Sequence, residues 1–474
     1  VFHEEELIGY SVTTAHHLDI GSLSPGSCGI VDAIDAYAEG LQFKAIKVYD
    51  RGQKVEAVWH MLRDNIRASN LVVGDMEAQV AASQIGAERL LALVHRYGVD
   101  TLKRSCDQVM AYAERLMRSA IAQVPDGTYS AKTFIDGFLD SPDTTKKDLP
   151  IVVTITVEGD EMTVDLTDTA DQVPDRPINM PFVGTVDIAI WLTIRSVLLD
   201  TAIHGHIPVN DGLCRPIRIV APEGCLANPV FPAPTIARFC PGNQLADTVM
   251  KALSQAVPSQ VSAGIGNLRV IAFSGLDGDD YWVHMEICEG SYGGRKGIDG
   301  MDSVDTLYAN TRNNPIEDIE SHLPLRVTRY ELREDVCGAG KWRGGLGSIR
   351  EFTYLKDGGG SIEGEGHKYK PWGFLGGKDG HTAALTLQRA DGRTEELPSK
   401  IPHTSAETGD KFACIGPAGG GYGDPYERDT SLVLDDVLDE LISIDTARND
   451  YGVVISDTLQ LDEQATADCR AARA

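Results

Sequence analysis

From Ile151 to Val157 apolar residues alternate with threonine, the run breaks at Glu158-Gly159-Asp160-Glu161, and Met162 to Leu166 takes it up again. A period of two on either side of a polar turn predicts a β-hairpin. Residues 55–124 follow another rhythm, with apolar positions three or four apart. That spacing predicts a helix over 75–97 closed by Gly98, and a second over 100–124 closed by Pro125-Asp126-Gly127. In the first of these helices Leu90, Leu91, Leu93 and Val94 are expected in the core. Further helices are expected near 185–199 and 244–257, and strands near 269–273 and 281–287.

The first fourteen residues alternate around Leu7, Ile8 and Tyr10 as a strand would, and lead into Ala15-His16-His17-Leu18-Asp19-Ile20-Gly21. From Glu289 onward glycine becomes frequent. The runs 338–347, 358–366 and 419–423 predict tight turns between short strands. Helical spacing returns over 432–442 and 446–451, where Leu434, Val437, Leu438 and Leu441 are expected to pack back on the body. The expectation is an α+β, multi-lobed chain. It divides into an N-terminal strand and helical region (1–127), a central mixed lobe (128–330), a glycine-rich β lobe (331–430) and a C-terminal helical segment (431–474).

With 474 residues, 42% of them hydrophobic, the chain can bury a large core. Forty-three Lys and Arg against seventy Asp and Glu give a formal charge of -27, which argues against nucleic acid and anionic membranes as partners. The longest apolar stretch, 183–199, is broken by Asp187, Thr193 and Arg195 and does not read as a membrane span. No basic, then apolar, leader is read at Val1, so none is expected, and nine scattered cysteines without a C-x-x-C pair fit a reducing cytoplasm.

Four groups carry candidate chemistry. His16-His17-Leu18-Asp19 sets two imidazoles and a carboxylate beside a glycine, a donor set that suits a divalent metal; on a strand the two histidines would face opposite sides, leaving one of them as ligand. An adjacent His pair capping a turn is the plain alternative. His204-Gly205-His206, followed by Asp211, is a second metal candidate or a turn with solvated histidines. Glu289-Gly290-Ser291-Tyr292-Gly293-Gly294-Arg295, with Asp299 and Asp302, reads as an anion-approaching loop or as a connector. Asn310, Asn313, Asn314, Glu317 and Glu320 offer paired carboxylates or merely a helix start at Pro315. No Walker loop, dinucleotide fingerprint or G-x-S-x-G elbow occurs, so any ATP chemistry is expected on another chain.

Several segments together resemble the hydantoinase B family, which includes parts of 5-oxoprolinases and subunits of lactam hydrolases and of acetone and acetophenone carboxylases. They are Ala15 to Gly21, Tyr37-Ala38-Glu39-Gly40-Leu41, Pro208 to Gly212, Asn310 to Glu317, Leu332 to Asp335, Gly338 to Gly347, Gly420 to Pro425 and Asp450 to Val454. The resemblance implies a subunit that completes a reaction begun by a hydantoinase A-type partner, which binds ATP and Mg and activates the substrate. Hydrolysis of a cyclic amide (hydantoin, 5-oxoproline or lactam) is the leading expectation. Ketone carboxylation and a non-catalytic structural subunit are the alternatives. The resemblance also implies a divalent metal, Mn or Zn, with His16 as a ligand and His17 and Asp19 as supporting catalytic residues. The resemblance further implies two ligands from an H-x-x-D segment N-terminal to His16, and residues 1–15 hold no such run. Cys337 departs from the family pattern and is expected to be a packing substitution.

Overall fold

The computed structural model describes residues 1–309 and 311–472. Its helical layer matches the three-to-four spacing. Ser69–Tyr97 ends where Gly98 takes φ +80, and Val99–Ile121 follows at once. The expected core of the first of these helices is thinner than its leucines suggest: Val94 is buried, Leu90 and Leu91 are half-buried, and Leu93 is exposed. The long helix touches the body along a narrow stripe only. Val94→Ala is therefore expected to cost about 1–2 kcal/mol and Leu93→Ala less than about 0.5 kcal/mol, a contrast that urea denaturation of the two variants checks.

Three sheets follow. The expected hairpin is present as Lys147–Glu158 and Glu161–Asp165, flanked by Gly127–Gly137 on one side and, in parallel, by Ile217–Val220 on the other. Alternation puts Leu149, Ile151, Val153, Ile155 and Val157 on one face, where the helix Phe239–Leu253 covers them and the helix Asp187–Leu198 packs in turn on that helix. The second sheet runs in the order Asp280–Cys288, Arg269–Asp277, Gly358–Gly364, Lys400–Ala406. The third runs Leu325–Leu332, Ser348–Tyr354, Lys411–Ile415, Ala384–Gln388, Thr394–Leu397. Ile271, Phe273 and Ile362 from the second sheet share one core with Phe352, Leu385 and Phe412 from the third, so these two sheets form a sandwich. Strands on either side of residue 330 thus hydrogen-bond into a single sheet. The architecture is α+β.

Three expectations need correction. The opening residues form only the short hairpin Phe2–His3 with Glu6–Leu7, and the chain from Ile8 through His17 has no strand partner among the described residues. The run Gly358–Gly364 is an inner strand rather than a turn. Nor do the glycines at 338–347 and 419–421 mainly supply turns. Their backbones stack against one another: a Cβ on Gly344 would lie 2.0 Å from the Gly419 carbonyl, and one on Gly420 2.0 Å from that of Trp372. On these loops rest the helices Thr430–Leu438 and Ile444–Tyr451 through Val433, Val437, Ala447 and Tyr451, with Cys337 buried among them as a packing residue. The helix Glu463–Ala471 was not anticipated by the pattern.

Candidate active site

The segment 15–28 is an irregular loop held by buried polar contacts. Asp19 is fully buried. Its Oδ1 accepts from the Gly21 N–H at 2.7 Å, and its Oδ2 accepts from the Gly26 N–H at 2.9 Å and from Arg67 Nη1 at 3.2 Å. Ser27 Oγ accepts from the Ile20 N–H at 2.7 Å. Gly21 has φ +76, and a Cβ there would meet the Asn65 carbonyl at 2.4 Å, so the loop can press against the end of the helix Glu56–Asn65 only with glycine at this position. Asp19 is thus a loop organiser and lies outside the lining of the cleft described below. Asp19→Ala is expected to cost about 2 kcal/mol by orphaning two buried N–H groups, a loss that thermal denaturation reads directly.

This loop presents both imidazoles to a cleft of about 810 Å³. Because no strand runs through His16 and His17, the expected division onto opposite faces does not arise, and both line the cleft. The His16 ring opens to the cleft, yet the protein wall around it lowers its pKa below 6.5, with the Arg238 guanidinium adding to the effect. His17 keeps Nδ1 buried without a hydrogen-bond partner. Across the cleft stand Arg238, Asn228, Thr235 and Glu39, with Phe182, Phe231 and Leu41 as apolar walls.

Glu39 and Arg238 received no role from the sequence. Glu39 ends a short 3-10 turn capped by Asp35, and its carboxylate accepts from the Ile236 N–H at 2.5 Å and from the Thr235 N–H, which pins the turn before Arg238. Burial raises the Glu39 pKa despite these donors. Arg238 opens the helix Phe239–Leu253 and forms no ion pair among the described residues, so its charge remains directed at the cleft. The one available signal was the segment Tyr37 to Leu41. Nothing in the local pattern marked Arg238, because the contact between residues 39 and 236 depends on the tertiary fold.

The other candidates settle elsewhere. His204 closes the one-turn helix Thr201–His204 and hydrogen-bonds Asp200, while His206 is exposed, which is the solvated-turn reading. The loop 289–302 is tied into the body by ion pairs and hydrogen bonds: Asp299 pairs with Arg428, Asp302 with Arg343, and Ser291 Oγ donates to the Pro417 carbonyl. Glu317 and Glu320 lie on Ile316–His322, where Glu320 accepts from the Val327 N–H at 3.0 Å. Asn310 lies outside the described residues. Among the described residues no three His, Cys, Asp or Glu side chains stand where they could share a metal ion, so the two imidazoles do not by themselves make a metal centre. No helix among them is long and apolar enough to cross a membrane.

An α+β body that offers histidines, a half-buried glutamate and an arginine without an ion pair among the described residues to one cleft has the make-up of an enzyme. The chain belongs to the Hydantoinase B/oxoprolinase family, whose model matches residues 1–425. It is 60% identical over 473 residues to a protein assigned as the B-type component of a D-/L-hydantoinase in Pseudomonas sp. (strain NS671), covering 99% of this chain and 80% of that one. It is 34% identical to the beta chain of the caprolactamase of Pseudomonas jessenii, covering 100% of this chain and 81% of that one. The crystal structure of the ATP-dependent caprolactamase from Pseudomonas jessenii superposes with a TM-score of 0.84 at 31% identity, over 96% of this chain and 78% of the other. An acetone carboxylase structure shares the fold with a TM-score of 0.87 at 18% identity, over 97% of this chain and 67% of the other.

Proposed function

We propose that this chain is the B-type subunit of an ATP-dependent, cytoplasmic cyclic amide hydrolase, acting on a hydantoin, 5-oxoproline or lactam ring that a hydantoinase A-type partner activates with ATP and Mg. The observation that carries this reading is the His16–Arg238 cleft in a chain so similar to a hydantoinase component and a caprolactamase component.

The cleft residues suit ring opening. An imidazole held below its usual pKa is neutral near pH 7 and can take a proton from an attacking water. Arg238 faces the charge that develops on the activated amide oxygen or on a phosphate attached to it. Glu39 holds the turn before Arg238 and so fixes the position of that charge. The unpaired Nδ1 of His17 is a further polar group available to a ligand. A divalent ion, Mn or Zn, would need donors beyond these residues; with His16 as its ligand the ring would have no free lone pair for the proton transfer described above, so ligand and proton acceptor are alternative roles for this residue.

The test is ADP release by the chain purified with its natural partner subunit, first with cyclic amides and then with ketones plus labelled bicarbonate. ADP formed together with an opened ring, and no need for bicarbonate, is the expected result. Turnover confined to ketone and bicarbonate would overturn the hydrolase reading in favour of a carboxylase.

A further inference from the structure

Away from the cleft, the second sheet carries Cys288, Arg269 and Gly364 side by side on neighbouring strands. Ser399 adjoins this row, its carbonyl 2.9 Å from where a Gly364 Cβ would stand. The missing side chain at Gly364 makes room for Arg269, whose Cγ would be 3.0 Å from such a Cβ. Arg269 is 0% exposed. Its Nε, Nη1 and Nη2 are all buried and have no hydrogen-bond partner, and it forms no ion pair among the described residues. The hydroxyl of Ser399 and Nε2 of His367 are likewise buried and unpaired.

The neighbouring carboxylates are engaged elsewhere. Asp136 accepts from the backbone N–H groups of His367 at 2.8 Å and Lys368 at 3.2 Å. Glu365 accepts from the Asp136 N–H at 2.7 Å and pairs with buried Lys400. Glu363 accepts from the Cys240 N–H at 2.8 Å. Arg333 adds another cation, and among the described residues it donates only to the backbone carbonyls of Thr382 and Gly416. The imprint of the Arg269 charge is visible on its neighbours. Burial, with Arg269 and Lys400 adding to it, pushes His367 down to about 3, and burial together with Arg269 brings Arg333 down to about 10.

A guanidinium withdrawn from water with none of its donors used is among the least favourable arrangements a protein interior can hold, and it persists where a counter-charge is present. We propose that a small monovalent anion of halide size binds inside the protein at the Arg269 guanidinium, with the Ser399 hydroxyl and His367 Nε2 as neighbouring polar groups. The wall is a glycine and cysteine sulfurs, Cys288 beside Arg269 and Cys414 next to Cys288, which favours a soft, spherical ion over a carboxylate that needs more donors. The site is separate from the His16–Arg238 cleft, and its occupancy does not depend on the reaction catalysed there.

Crystals of the full chain grown in bromide test this through anomalous scattering. A single internal bromide peak at the Arg269 guanidinium is expected. The melting temperature should also be about 2–5 °C higher in bromide or chloride than in gluconate at equal ionic strength, because an ion bound only by the folded state stabilises it. Arg269→Met should abolish that difference. If this variant does not fold, the wild-type crystal and melting series decide alone. A water molecule or the Cys414 sulfur alone against the guanidinium, with no anomalous peak and equal melting temperatures, would overturn the proposal.

Discussion

His16→Ala lowers kcat/KM of the assembled enzyme by about 100-fold or more, the range expected when a positioned proton acceptor is removed, and about 2.7 kcal/mol or more in transition-state free energy. The melting temperature should stay near that of the wild type, because the ring opens to the cleft and makes no buried hydrogen bond that holds the loop; Asp19 and Ser27 do that. The pH profile gives a second readout. The group must be neutral to accept a proton, so activity falls as pH drops through its pKa. Since cleft burial and Arg238 lower that pKa, the acid limb lies below the ordinary 6.5. Unchanged turnover in His16→Ala, measured as ADP and ring-opened product together, would remove His16 from the chemistry.

How far the site could be read in advance depended on the range of each interaction. The histidine pair was legible because both residues and their glycine hinge fall within a few positions, and the hairpin 147–165 because alternation and turn are local. Asp19 looked catalytic for the same reason of proximity, but its partners Gly26 and Arg67 are 7 and 48 residues away and turn it into a scaffold. Glu39 and Arg238 come together only because the backbone at 235–236 donates to a carboxylate 196 and 197 residues earlier. The glycine-rich runs misled in a different way. Glycine signals both turns and close backbone contact, and a pattern along one chain does not distinguish them, whereas the 2.0 Å approach at Gly344 does. Leu93 shows the converse limit, since helical spacing identifies a stripe but not whether anything covers it.

Asp247 should make the folded state less stable as pH rises from about 4 to about 6, opposite to the usual behaviour of a carboxylate. It lies on the helix Phe239–Leu253, 2% exposed, beside a cavity of about 220 Å³ that is also lined by Lys132, Lys251, Lys370 and Trp372. Trp372 Nε1 donates to it at 2.9 Å, and the Ile265 N–H and Gln244 Nε2 each donate at 3.2 Å. These donors and Lys251 favour the charged form, but desolvation outweighs them and lifts the carboxyl from 3.8 to about 6. The folded state therefore holds a proton that the unfolded chain has already released. Its contribution is fully present below pH 3.8 and is lost as pH rises through about 6, and at about 1.4 kcal/mol per pH unit the whole effect is about 3 kcal/mol. Asp247→Asn is the control. Its amide has one oxygen for donors that approach from both sides, so an N–H meets either the Trp372 or the Ile265 donor and the variant starts from lower stability, yet it carries no titrating group. Urea denaturation of both proteins at pH 4, 5, 6 and 7 should show the wild type losing stability relative to Asp247→Asn across this window. Parallel profiles would mean that the three donors and Lys251 keep Asp247 ionised throughout, and that hydrogen bonding rather than desolvation governs this buried acid.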